Sequence, residues 1–490
     1  MELLSAIRRQ LLLRPLRTVV TDDFRRWRGI DLMVVAWHLA REIERQSSAK
    51  RIGVMLPTSG LFPATAIAAW TLGRTLVPLN YLLSRSDLEY VARDAELDAV
   101  VTVGPMLDLV GGSIAGLAEI RPDRMKFKGL PPVRLTNPLQ REDVAVVLYT
   151  SGTSGRPKGV MLTGGNIGAN VRQCQEWVDF GAADTILGVL PQFHSFGLTV
   201  LTMLPLATGA RAVYTARFVP RKLVDLAREH KPTAFVAIPS MYNALRLLKD
   251  ATPQDFASLR FAVSGGEPLP DAVFEGFREK FGIDINEGYG LTETAPVTNW
   301  CRPSEQRRKC VGKALPGIDQ RIVGPDGTVL GPNHDGEVRM KGPNIMKGYL
   351  NLPDETAAVF DEHGYFKSGD MGRLDEQGFL SITGRIKEML IIGGENVFPR
   401  EIEEVLNKHD SVKDSAVIGM VDGMRGEVAL AFVELKEGAS FDEPALKAWC
   451  RERIAGFKVP RDIRVVRELP RNPTGKIMRR KLTPDTKSEA

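Results

Sequence analysis

Between residues 30 and 135 the apolar positions alternate between two patterns. Leu32 to Glu44 repeats its apolar residues at helical spacing, and Pro63 to Leu72 is a run of small apolar residues of helical length. Arg51 to Leu56 and Ala99 to Val103 are short apolar runs of strand type. This alternation predicts βαβ units, a parallel sheet with helices on its faces. The rhythm continues through Thr185 to Leu190, Arg211 to Tyr214, Ala234 to Ile238 and Arg260 to Ser264.

After about Thr298 the runs shorten and Gly and Pro punctuate them, with Pro325-Asp326-Gly327 as a turn between strand-like stretches. A small antiparallel sheet is expected there. From Lys387 a third pattern begins: a helix at Arg400 to Asn407, strands at Ser415 to Met420 and Val428 to Leu435, and a helix at Glu443 to Ile454. The expected α/β architecture is a large N-terminal domain, 1–386, of two parallel-rich sheets with a small antiparallel subdomain, followed by a small mobile α+β domain, 387–490.

Composition changes this picture little. A chain of 490 residues exceeds what one core usually serves. The apolar stretch around Leu198 to Ala207 is too short and interrupted to span a bilayer. A net charge of +5 without dense basic clusters does not point to nucleic acid. Of the four cysteines, the nearest two are nine positions apart, which suggests neither a zinc site nor a disulfide framework and fits a reducing cytoplasm. Residues 1–20 mix Leu with Arg and would suit a basic amphipathic helix at a membrane surface. Packing of that helix on its own domain is the simpler expectation. It is no secretory signal, because Arg14 and Arg17 follow a run of only Leu11 to Leu13.

Candidate chemistry concentrates in Leu148 to Gly159, after the apolar strand Val144 to Leu148. It holds three glycines, four aliphatic hydroxyls (Thr150, Ser151, Thr153, Ser154) and Lys158. Backbone N–H groups freed by glycine, hydroxyl donors and one cation are what a polyphosphate cradle needs. It is not a Walker A loop, since Gly159 rather than Ser or Thr follows the lysine. The segment closely resembles the phosphate loop of the acyl-adenylate-forming (AMP-binding) superfamily, which includes acyl-CoA synthetases, luciferases and peptide-synthetase adenylation domains.

Further segments match that family in order, from about Arg51 to Leu482. Leu190-Pro191-Gln192-Phe193-His194-Ser195-Phe196-Gly197 resembles the segment whose aromatic residue or His, here His194, lines the carboxylate site. Ser264-Gly265-Gly266-Glu267-Pro268 resembles one wall of the adenine pocket. In Asn286 to Thr294, the resemblance implies that Gly288, Tyr289 and Gly290 border the adenine. It implies Thr292 as a donor to the α-phosphate and Glu293 as the Mg²⁺ ligand. Gly336 to Pro343 and Met346 to Tyr349 match segments of mostly structural role. Asp370 resembles the ribose ligand, and Ile382 and Arg385 further nucleotide contacts. Lys387 resembles the domain hinge, Gly393 and Gly394 the thiol-tunnel loop, and Lys476 the lysine bridging the carboxylate and the α-phosphate. The cradle contacts carried over are Thr150, Ser151, Gly152, Thr153, Ser154, Gly155 and Lys158.

The resemblance implies an acid–thiol ligase that forms acyl-AMP with ATP and then a thioester. Its expected partners are a carboxylic acid and either CoA or an acyl carrier protein. Only 14 residues follow Lys476, so no attached carrier domain is expected. The expected acid walls are His194, Phe196, Leu198, Tyr242, Gly266, Gly288, Leu291, Ala295 and Val297. They are mostly apolar or small and favour a medium- to long-chain fatty acid, with an aryl acid as the alternative. A non-catalytic nucleotide-binding protein would have no need of Glu293, Asp370, Arg385 and Lys476 together.

Overall fold

The alternating periods of the first three hundred residues resolve into two sheets. The computed structural model describes residues 1–129, 131–151, 156–422, 426–471 and 477–488. It divides into two units: Met1–Leu269, Val273–Asp319 and Met340–Phe366 form one, and Pro270–Ala272, Gln320–Arg339 and Lys367–Ala490 the other.

In the first unit a nine-stranded sheet has a parallel centre made of Arg211–Tyr214, Thr185–Gly188, Ala234–Ala237, Phe261–Ser264 and Ile285–Gly290. Nearly every residue of the first four strands is buried. Both faces of such strands are covered, so they read as unbroken apolar runs rather than as an alternation. Val297–Trp300 and Lys313–Ala314 extend one edge antiparallel, and Thr18–Thr21 with Arg26–Arg28 completes the other. The second, seven-stranded sheet runs Gly348–Tyr349, Pro157–Thr163, Val144–Ser151, Thr75–Pro78, Arg51–Met55, Ala99–Thr102, Ala118–Ile120. It is parallel except for its first two strands.

Helices Pro220–His230, Pro239–Leu247 and Asp271–Phe281 send Leu223, Tyr242, Leu245, Phe274 and Phe277 into one core with Phe235 and Phe256. Tyr242 corrects an expectation. Its ring stands edge-on to Phe235 and Phe277, and its hydroxyl donates to the carbonyls of Phe235 (3.1 Å) and Val263 (3.0 Å). The side chain is committed to the core and is not an acid wall.

The N-terminal helix Glu2–Leu13 buries Leu3, Leu4, Ile7 and Leu11. Arg8 is buried with them and donates to the carbonyls of Leu135 (2.9 Å) and Thr136 (2.8 Å). The apolar face thus packs within its own unit, the simpler of the two expectations, while Leu12, Leu13 and Leu16 remain exposed. Among the described residues, no helix is long and apolar enough to cross a membrane. The four cysteines are buried and form no disulfide.

The expected antiparallel sheet, ordered Asp319–Val323, Gly336–Lys341, Phe366–Leu374, Leu380–Arg385, falls mainly within the second unit. At Pro325-Asp326-Gly327 the turn forms as anticipated, with Asp326 accepting from the Thr328 amide at 3.1 Å and Gly327 at φ +86°. A further sheet pairs Val412–Asp422 with Gly426–Leu435, flanked by Leu390–Ile392, Glu395–Val397 and Asp462–Val465. Helices Pro399–Leu406 and Glu443–Arg451 cover it through Ile402, Leu406, Leu446 and Cys450.

A charged knot joins distant parts of this unit. Arg479 donates through Nε and Nη2 to Glu403 (2.9 and 2.6 Å) and through Nη1 to Glu388 (3.0 Å). Glu403 also accepts the Val417 amide at 2.8 Å and is 7% exposed. Removing one partner of a buried pair leaves the other desolvated and uncompensated. Arg479→Met should therefore destabilise this unit by about 3–5 kcal/mol, read as a lower urea midpoint. An unchanged midpoint would show the knot to be energetically idle.

Candidate active site

The phosphate-loop lysine is placed by a hairpin. Val144–Ser151 and Pro157–Thr163 pair antiparallel, with Thr150 opposite Lys158 and Ser151 opposite Pro157. Residues directly opposite in such a ladder share a face, so Thr150 and Lys158 stand side by side. Gly152, Thr153, Ser154, Gly155 and Lys476, all expected site residues, lie outside the described residues. Gly159 is required by packing: a Cβ there would lie 2.9 Å from Val147 and 3.0 Å from the Tyr149 ring. Its absence lets the short strand Gly348–Tyr349 lie against the hairpin, and the Leu350 amide donates to the Gly159 carbonyl at 2.7 Å. The Lys158 ammonium forms an ion pair with Glu355, on the helix Pro353–Ala358, and stands 5.6 Å from the centre of the Tyr349 ring.

Glu293 lies in the single helical turn Thr292–Thr294 that follows the strand Ile285–Gly290. Its carboxylate Oε1 accepts from the Tyr349 hydroxyl at 2.9 Å, and its carbonyl accepts from the Met346 amide at 2.8 Å. The turn closes through the Thr294 hydroxyl, which caps the Leu291 amide at 3.0 Å, and through Ala295 in the left-handed region at φ +65°. Burial, with the Glu293 charge beside it, pushes the Tyr349 phenol far above its ordinary value, so it stays a donor. Among the described residues, no three His, Cys, Asp or Glu side chains gather into a metal site. One half-buried carboxylate nonetheless fits Mg²⁺, which commonly takes one or two protein carboxylates and completes its shell with phosphate oxygens and water.

Three expected segments meet at the carboxyl ends of the parallel strands. The Ser195 and Thr292 hydroxyl oxygens are 3.4 Å apart, which joins the His194 segment to the Glu293 turn. Phe196 covers Gly265: a Cβ on Gly265 would come within 3.1 Å of its ring. Gly265 therefore serves the packing of Phe196, while Gly266, at φ +82°, turns the chain outward with Glu267 and Pro268 partly or fully exposed. His194 is exposed, and its Nδ1 accepts from the Phe196 amide at 3.4 Å. Gln192, 2% exposed, anchors this segment from behind: it accepts from the Ser59 amide at 2.9 Å and donates to Thr202 Oγ1 at 3.0 Å. Gly288 and Tyr289 are half-buried on the strand end, with Tyr289 opposite Asn299. Gly290 admits no side chain, since a Cβ would sit 2.0 Å from the Pro296 carbonyl oxygen.

The second unit carries the other expected residues. Asp370 and Arg385 are opposite each other on paired strands, and Arg385 Nε meets Asp370 Oδ1 at 3.0 Å. Ile382 offers its carbonyl to Arg400 at 2.9 Å. Lys387 is exposed in the turn Ile386–Glu388. Gly393 (φ +61°) and Gly394 (φ +88°) form a two-residue hairpin between Leu390–Ile392 and Glu395–Val397, and the positive φ of that turn alone favours glycine at both places. Two residues beside the expected ones escaped sequence reasoning, Tyr349 and Glu355. Tyr349 lay in a segment read as structural, and Glu355 in a helix that carries no motif.

The AMP-binding enzyme family model matches residues 14–350, and the AMP-binding enzyme C-terminal domain matches 401–476. The chain is 33% identical to a long-chain-fatty-acid–CoA ligase of Bacillus subtilis (strain 168), over 92% of this chain and 89% of that protein. It is 33% identical to a sulfoacetate–CoA ligase of Cupriavidus necator, over 89% and 87%. Its fold superposes on the o-succinylbenzoate CoA synthetase of Bacillus subtilis bound to an acyl-adenylate, with a TM-score of 0.88 and 27% identity over 99% of both chains.

The Glu355–Lys158 pair yields a test. A partly exposed ion pair is worth up to about 1 kcal/mol, and a triphosphate drawing on Lys158 must compete with it. Glu355→Gln should lower the KM for ATP about two- to fivefold; an unchanged or raised KM means that the pair does not oppose nucleotide.

Proposed function

The chain belongs to the AMP-binding enzyme family and is an AMP-forming acyl-CoA ligase, and on that premise we propose that it joins a medium- to long-chain fatty acid to CoA. The observation that carries the choice of acid is the apolar character of the acid side. Phe196, which lies over Gly265, and Leu291 are apolar and partly exposed, and with Tyr242 excluded His194 is the single polar side chain among the residues assigned there. The relative named for long-chain fatty acids supports the same choice. Relatives are also named for sulfoacetate and o-succinylbenzoate, so the acid is argued from the wall residues rather than from the family.

In the proposed reaction a carboxylate oxygen attacks the α-phosphorus of ATP. The bond from that phosphorus to the β-phosphate bridging oxygen breaks, and pyrophosphate leaves. Both reactants are anionic, so cations and donors must offset their repulsion. Lys158, Thr150 and Thr292 do this from the first domain and Lys476 from the second, where it bridges the carboxylate and the α-phosphate. Glu293 would hold Mg²⁺, which supplies neutralisation of phosphate charge when bound. Asp370 and Arg385 hold the ribose, and Tyr289 and the backbone at Gly265, Gly266, Gly288 and Gly290 frame the adenine. Fixing both reactants in line contributes on the order of 7 kcal/mol. The CoA thiol then attacks the acyl carbon, loses its proton, and AMP leaves. On the reading of 387–490 as a C-terminal domain, Lys387 is the hinge by which it presents first Lys476 and then the Gly393-Gly394 loop.

Thioester formation across a panel of acids, with CoA and holo-carrier protein in parallel, tests the choice of acid and acceptor. Fatty acids of medium to long chain with CoA should give the highest kcat/KM. Preference for benzoate-type acids, or for carrier protein, overturns it. Lys476→Ala should abolish pyrophosphate exchange yet spare thioester formation from supplied acyl-adenylate, and equal loss of both steps would refute the division of labour.

A further inference from the structure

The segment Met346 to Leu350 is a two-sided clip. On one side its backbone holds the strand that follows the phosphate loop: the Lys347 amide donates to the Met161 carbonyl at 3.0 Å, the Leu350 amide to the Gly159 carbonyl at 2.7 Å, and Tyr349 stands opposite Val160. On the other side it holds Glu293 twice, through the Met346 amide on its carbonyl and the Tyr349 hydroxyl on its carboxylate. Tyr349 is itself fixed. Its amide donates to Thr356 Oγ1 at 2.9 Å, its side chain is almost fully buried, and the Lys158 ammonium stands at its ring. One aromatic ring thus lies between the loop cation and the carboxylate of the neighbouring turn.

Glutamate has three rotatable side-chain bonds, and its terminal torsion is broad. By torsion alone, a carboxylate on a single helical turn has more than one orientation open to it. A hydrogen bond from a buried phenol selects one of them, and a hydrogen bond to a charged group is worth about 1.5–3 kcal/mol. We infer that Tyr349 is a positioning residue for adenylate formation: its hydroxyl fixes the Glu293 carboxylate in register with Lys158 before the nucleotide arrives. The inference rests on the reading of Glu293 as the carboxylate that serves the phosphates. It adds a residue to which that reading gave no part.

Tyr349→Phe removes the hydroxyl and keeps the ring. Expected are a fall of about tenfold or more in the kcat of pyrophosphate exchange, a KM for ATP changed by less than about threefold, and a melting temperature near that of the parent. Thioester formation from supplied acyl-adenylate should change by less than twofold, because that step no longer uses the triphosphate. The decisive comparison adds Tyr349→Phe to Glu293→Gln. If Tyr349 acts through Glu293, the double variant loses no more exchange activity than Glu293→Gln alone. An independent, multiplicative loss in the double variant, equal loss of both half-reactions in Tyr349→Phe, or unaltered exchange in Tyr349→Phe each overturns the inference. Full exchange activity in Glu293→Gln would instead overturn the role of Glu293 on which it stands.

Discussion

Everything near the phosphate loop depends on one backbone pairing, the antiparallel ladder in which Pro157–Thr163 lies between Val144–Ser151 and Gly348–Tyr349. The ladder fixes Lys158 opposite Thr150 and sets the Tyr349 ring against that lysine. Through the Tyr349 hydroxyl it extends to Glu293, which belongs to the other sheet's strand end. Two sheets of the same unit are thereby tied at the place where charge has to be managed. Gly159 is the concession that allows it, since any Cβ would push against Val147 and Tyr149.

Such an arrangement is electrostatically economical. Glu355, Lys158 and Glu293 alternate in sign around one aromatic ring, so neither carboxylate nor ammonium is left as an isolated charge in a partly desolvated place. The polar links behind them are of the same kind. Gln192 spends both ends of its amide on Ser59 and Thr202, and Ser195 reaches Thr292. The side chains proposed to carry the chemistry therefore stand on strand ends and tight turns braced by such links.

What the sequence made legible followed period and motif. The buried parallel strands announced themselves as apolar runs, and Arg211–Tyr214 falls on the residues expected. The strand Val144–Ser151 continues past Leu148, because Tyr149, Thr150 and Ser151 find ladder partners beyond the loop, and no local pattern reveals a partner across a turn. Distance in sequence hid the rest. Tyr349 and Glu293 are 56 positions apart, and Lys158 and Glu355 are 197 apart, and neither pair has a periodic signature. Tyr242 misled for a related reason. A tyrosine in an apolar setting looks like a pocket wall until its hydroxyl is seen to have two carbonyl partners in the core.

The Asp370–Arg385 pair has a consequence for how a ribose would be met. The Asp370 side chain is 5% exposed and already aligned by a guanidinium across the ladder. Its desolvation and its loss of rotamer freedom are incurred when the strands fold, not when a ligand docks. A sugar approaching that strand would find a preformed acceptor rather than a carboxylate still wrapped in water, and the carboxylate would add little to the entropic toll of recognition.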